Sequence, residues 1–156
     1  MAMADVEHKS TFQNIIYDIA ERVFINLGTG HSEYVYQKAF HYELDCHNIH
    51  SEIERHVPVS YTDSKNRKHI LSSERIDIYL HKDLNSIYEE LNENDIVIEL
   101  KAISRIPNSI EKEQICKYIR ELRKNDMEIS YGILINFPQP PRANIEHIDF
   151  RIIMSL

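Results

Sequence analysis

The sequence predicts an α/β fold, with a small mixed β-sheet flanked by α-helices on both sides. Two observations predict it. Three segments repeat apolar residues at three- and four-residue spacing, the period of amphipathic helices. Five others are apolar or alternate with period two, the mark of strands. The predicted order is α-α-β-β-β-α-β-β. At 156 residues the chain fits one domain and leaves little room for two. Residues 1–9 are expected to be a disordered tail and 10–156 a single domain.

The first helix begins at Ser10. Ser10 and Gln13 have the spacing of a capping box, each side chain able to meet the other's backbone amide. Ile15, Ile16, Ile19, Val23 and Leu27 then supply the apolar stripe, and Gly28 is a natural stop. A second helix is expected from about Ser32 to about Asn48, with Val35, Tyr36, Ala39, Phe40 and Leu44 along it. Period two follows: Ile53, Arg55, Val57, Val59 and Tyr61 fall on one face of a strand in which Pro58 argues for an edge or a bulge. The polar run YTDSKNRKH reads as a hairpin turn, and the return strand runs from Ile70 to Leu80. In it, Ile76, Ile78 and Leu80 are expected to face one way, and Arg75, Asp77 and Tyr79 the other.

Residues 82–94 are polar and acidic and read as a surface insertion with at most a short helix. The next strand, DIVIELKAI, places Ile96, Ile98 and Leu100 on one face and Val97, Glu99 and Lys101 on the other. A helix opening after Pro107, capped by Ser109, carries Ile115, Tyr118, Ile119 and Leu122 inward. ISYGILINF is a buried strand, and Ile148, Phe150, Ile152 and Met154 alternate along the last one.

Composition narrows the function. Only 3 Gly and 5 Pro occur, and no apolar run approaches the roughly 18 residues of a membrane helix. The polar start MAMADVEHKS has no signal-peptide core, so the expected compartment is intracellular, cytoplasm or nucleus. Cys46 and Cys116 are too few and too separated for a disulfide framework. A net charge of −7 excludes a general polyanion binder. Yet the stretch 101–124 carries seven bases and only three acids, and the turn 65–69 is basic too. These could meet phosphates. A solvated helix face and a charged hairpin tip account for them equally well.

Chemistry concentrates on the strands. Glu99 and Lys101 are two apart and share a face, their Cα atoms about 6.5–7 Å apart. Asp77 projects from an earlier strand that could pair beside them. Charged residues on core strands need a partner or a ligand. Carboxylate oxygens suit Mg²⁺ or Mn²⁺, and a neighbouring lysine could orient water or balance developing negative charge. A plain ion pair to Lys101 fits the spacing at least as well. Cys46, His47 and His50, with His41 and His56 near in sequence, match no standard zinc spacing.

The ordered set of motifs decides further. Asp77, followed across two strands by Glu99-Leu100-Lys101, resembles the PD-(D/E)xK nuclease superfamily. The rest resembles its GxxExxY branch. Gly30, Glu33 and Tyr36 stand in the run GHSEYVY, after Leu27, Gly28 and Thr29. Ala39 and Glu43-Leu44, then Val57 to Tyr61, Arg75 to Asp77, Ile98 to Ala102, Gln114 to Tyr118 and Gly132 to Phe137 follow in order, spanning roughly residues 12–150. The chain departs from the pattern in its insertion at 82–94 and in His31, where a bulkier apolar residue is common.

The resemblance implies a restriction-endonuclease-like core and metal-dependent hydrolysis of phosphodiester bonds, with DNA the expected substrate. By position, Glu33, Asp77 and Glu99 would be the acidic residues, joined at the metal by the Leu100 carbonyl. Lys101 would assist the attacking water and Gln114 would stand beside it. Lys112, Lys117 and Arg120 are candidate nucleic-acid contacts. Tight binding by so acidic a chain would call for a homodimer or a protein partner. The competing reading is a non-catalytic nucleic-acid- or protein-binding module that keeps the fold.

Overall fold

The computed structural model describes residues 10–154; the expected tail at 1–9 lies outside them. The elements are α1 (Thr11–Leu27), α2 (Glu33–Cys46), β1 (Ser51–Thr62), β2 (Lys68–Leu80), a short 3₁₀ turn (Glu89–Leu91), β3 (Asp95–Lys101), α3 (Ser109–Lys124), β4 (Ile129–Asn136) and β5 (Asp149–Ile153). This is the predicted order. The five strands form one sheet in sequence order. All neighbours are antiparallel except β3 and β4, which run parallel with α3 as their crossover.

The helix ends follow local chemistry. Ser10 accepts from the Gln13 amide at 3.1 Å, and the Gln13 side chain accepts from the Ser10 amide at 3.2 Å, completing the box. Gly28 ends α1 at φ 71°, a conformation that favours glycine. For α3 the cap is Asn108 rather than Ser109. The Asn108 side chain accepts from Ile110 N, and the Glu111 carboxylate returns to Asn108 N at 2.9 Å. The rule that picked Ser109 missed that an Asx residue one position earlier also has its partner acid three residues on.

The sheet separates two apolar layers. On one face α1 and α2 pack Ile16, Ile19, Tyr36, Phe40 and Leu44 against Ile78, Leu80, Ile96, Ile98, Leu100 and Ile133. On the other, Ile115, Ile119 and Leu122 of α3 pack against Val57, Ile76, Tyr79, Val97 and Leu134. β3 keeps the predicted alternation. β1 and β2 do not. Ile76 packs under α3, whereas Ile78 and Leu80 pack under α1 and α2. On β1, Ile53 belongs to the α1–α2 layer and Val57 to the α3 layer. Both strands therefore change face at one level, between the pairs Ile53–Ile78 and Arg55–Ile76. Glu54 sits at that level with φ 57°, a left-handed backbone inside a strand. The single-face reading of Ile76, Ile78 and Leu80 fails there, because strict period two assumes an unbroken pleat. A second shift, between Val59 and Ser60, follows the edge-strand Pro58.

Beyond the switch the hairpin continues along α3. Glu121 accepts from Ser60 N, and Lys68 Nζ donates to Asn125 Oδ1 at 3.0 Å. The basic turn 65–69 and the basic end of α3 thus lie side by side. No helix among the described residues is long and apolar enough to cross a membrane.

Candidate active site

β2 and β3 pair only from Ile78–Ile98 to Leu80–Ile96. The next pair in register would be Asp77 and Glu99, and there the strands part. The Leu100 amide donates instead to Asp77 Oδ2 at 2.8 Å. Gln37, buried on α2, donates to the Asp77 carbonyl at 2.7 Å. The Asp77 backbone and side chain are both fixed by these bonds.

The Asp77 and Glu99 carboxyls are close enough for each to act on the other's protonation. Glu99 is 4% exposed, and its Oε1 has no hydrogen-bond partner. Lys101 Nζ lies 4.0 Å from Glu99 Oε2. Burial, then the neighbouring Asp77 charge, pushes the Glu99 carboxyl well up from its ordinary value, while Lys101 opposes the shift. Burial also raises Asp77, against the Glu99 and Leu100 hydrogen bonds that lower it. Two acids that resist ionising side by side, one with an orphaned oxygen, could take a cation between them.

Glu33 opens α2 on the solvent side. Lost hydration raises its carboxyl, Lys101 lowers it and Asp77 raises it, so it shares their electrostatic field. The expected three-carboxylate cage does not form. Among the described residues no three His, Cys, Asp or Glu side chains are arranged to hold an ion. The close group is the Asp77–Glu99 pair, and a pair suits Mg²⁺, which keeps much of its water and takes one or two carboxylates. The histidines around Cys46 form no such group either.

The turn before Glu33 is held by residues far apart in sequence. Tyr36 Oη donates to the Gly28 carbonyl at 2.7 Å, and Gln139 Oε1 accepts from Gly30 N at 2.7 Å. Gln139 Nε2 donates to Tyr36 Oη at 3.0 Å, and the Tyr36 ring stacks on Phe137. Gly30, at φ 93°, lets its backbone make this turn. The three spaced residues of the GHSEYVY run thus set the turn, the acid and its brace.

Gln114 meets the site through another side chain. Its Nε2 donates to Tyr118 Oη at 2.7 Å, and burial and then the Glu99 charge raise the Tyr118 hydroxyl. Tyr118, read from sequence as core, is the link. Lys117 donates to Glu74 at 2.6 Å, so that candidate phosphate contact is already paired. Gln114, Lys117 and Arg120 line one open cleft of about 370 Å³ with Glu74, Ile110 and Glu113. Arg120 is exposed, and Lys112 is half-buried on the adjoining helix face.

Tyr118 and Asn136 fell inside quoted motif blocks but were given no role of their own, and Gln37 had no signal in the sequence. Asn136 is fully buried and binds Ile103 N and O, at 2.9 and 3.1 Å, just past Lys101. A polar residue at a core position of a strand was the available clue.

Known proteins resemble this chain. Residues 10–148 match a family model described as the PD-(D/E)XK nuclease superfamily. A solved structure titled "Crystal structure of SSO0001" shares the fold, with a TM-score of 0.50 and 16% identity over 96% of this chain and 70% of that one. No curated protein matches the sequence.

Proposed function

The chain belongs to the PD-(D/E)XK nuclease superfamily, and we propose that it is a divalent-metal-dependent nuclease of the GxxExxY branch acting on DNA. The observation that carries this reading is the Asp77–Glu99 pair, with the buried Glu99 leaving one oxygen unpartnered and Lys101 beside it. Residues 10–156 would act as one domain.

Asp77, Glu99 and the Leu100 carbonyl would hold Mg²⁺ or Mn²⁺, with Glu33 nearby. Such an ion polarises a phosphoryl oxygen and acidifies a bound water. Lys101 would orient the attacking water and balance charge on the phosphorane-like transition state. Gln114 and Tyr118 would fix the outer wall beside Glu99. Lys112 and Arg120, together with the basic hairpin turn and a Lys117 shared with Glu74, would meet the phosphate backbone. The GxxExxY reading is supported by the brace that Gly30 and Tyr36 provide for Glu33. A dimer or partner would raise binding at physiological salt.

Incubation with single- and double-stranded DNA and RNA, in Mn²⁺ or in EDTA, tests this. Cutting is expected in Mn²⁺ alone, and is expected to vanish in Glu99→Ala and Lys101→Ala. Binding without cutting under every condition assigns the fold to a non-catalytic module instead.

A further inference from the structure

We propose that Glu54 is a further acidic member of the cation site, its carboxylate facing the hydration shell of an ion seated on Asp77 and Glu99. The inference rests on the nuclease reading above. Glu54 occupies the β1 level opposite Asp77, between the pairs Ile53–Ile78 and Arg55–Ile76. Both strands change face at that level, which takes the two acids out of the regular pleat. Its backbone has φ 57°, a conformation that is unfavourable for a glutamate and that glycine or asparagine would adopt more readily. A residue kept against its backbone preference points to a use for its side chain.

The competing explanation is the ion pair with Arg75. That contact is 3.9 Å long, with the arginine side chain 61% exposed, too loose to fix a strained residue. The Glu54 charge is felt at the Asp77 carboxyl, which stands at the same level on the neighbouring strand. The independent sign of a ligand is Glu99, 4% exposed, with Oε1 unpartnered beside Asp77. The Glu54 side chain is 37% exposed, which suits contact through coordinated water rather than direct ligation.

Calorimetric titration of Mn²⁺ into the nucleic-acid-free protein tests the proposal. Outer-shell carboxylates typically contribute 10- to 100-fold in metal affinity. Glu54→Gln and Glu54→Gly are each expected to weaken Mn²⁺ binding about tenfold or more, with the metal-free Glu54→Gly protein at least as thermostable as the parent. Arg75→Gln is expected to bind no more weakly than the parent. Parent-like Mn²⁺ affinity in both Glu54 variants, while Asp77→Asn loses binding, would overturn the role of Glu54 and leave the metal site standing. No Mn²⁺ binding by the parent would overturn both.

Discussion

Glu99 is a residue the fold carries at a loss. Its carboxylate is buried, sits against another carboxyl and leaves one oxygen without a partner. A buried acid whose proton is held more tightly in the folded than in the unfolded state makes stability fall as pH rises, through the window from the ordinary carboxylate range up to the raised value. The metal-free protein is therefore expected to lose stability as pH rises from about 4.5 through that window. Glu99→Gln keeps the shape and can donate to Asp77, so it removes this slope. It should stabilise the metal-free protein at neutral pH by on the order of 1 kcal/mol. Thermal melts of parent and variant in EDTA across the pH range check this. Converging curves at low pH and a more stable variant at neutral pH are expected; a variant less stable at every pH would show that the carboxylate is structural. Asp77 is a weaker case, because the Leu100 amide and the Gln37 side chain already fix it.

At the scale of elements, α3 decides where the outer wall of the site stands. It reaches the sheet at Gly132 of β4, where an added Cβ would lie 2.4 Å from Ile115 Cγ2. Ile115 is fully buried and branched at Cβ, so it has little freedom to step aside. Gly132→Ala is expected to destabilise by about 1–3 kcal/mol through overpacking. It should also push α3 outward, taking Tyr118 and Gln114 away from Glu99. Urea denaturation of Gly132→Ala, Ile115→Ala and the double variant would show it. The double variant should lose less than the two single losses combined, since the smaller Ile115→Ala side chain makes room for the methyl. Strict additivity would mean that the helix does not rest on this contact. β1 and β2 show where reading by element breaks down. Their strand character and hairpin were legible from period two, as was the edge position of Pro58. The change of face at Glu54 and Asp77 was not, because nothing in the residue types there marks a left-handed glutamate. The failed period falls at the acid the motif had singled out.

Across the whole molecule, the layers, the element order and the sheet's core residues were legible, since burial writes its period into the sequence. The choice of Glu33, Asp77, Glu99, Lys101 and Gln114 as candidate site residues rests on an ordered set of motifs. Spacing alone allowed a plain ion pair. What escaped was contact across distance: Gln139 bracing Tyr36, Gln37 holding Asp77, and the hairpin turn lying against the end of α3. That last contact bears on how a chain of net charge −7 meets a polyanion. It sets Lys68 of the basic turn against Asn125 at the end of α3, next to Lys124, with Arg120 exposed one turn earlier on the same helix. Binding through such a strip depends on releasing counterions, so affinity falls with salt at a slope set by the number of phosphates neutralised. Each contact contributes about 0.7–0.9 to that slope. Arg120→Gln, on the exposed cleft rim, is expected to lower it by about 1 without changing the order of preference among sequences. Lys117→Gln should lower it less, because Lys117 is already neutralised by Glu74. Fluorescence anisotropy of labelled DNA in Ca²⁺, across a series of salt concentrations, measures both slopes. Equal slopes in parent and Arg120→Gln would place the nucleic acid on another face of the protein.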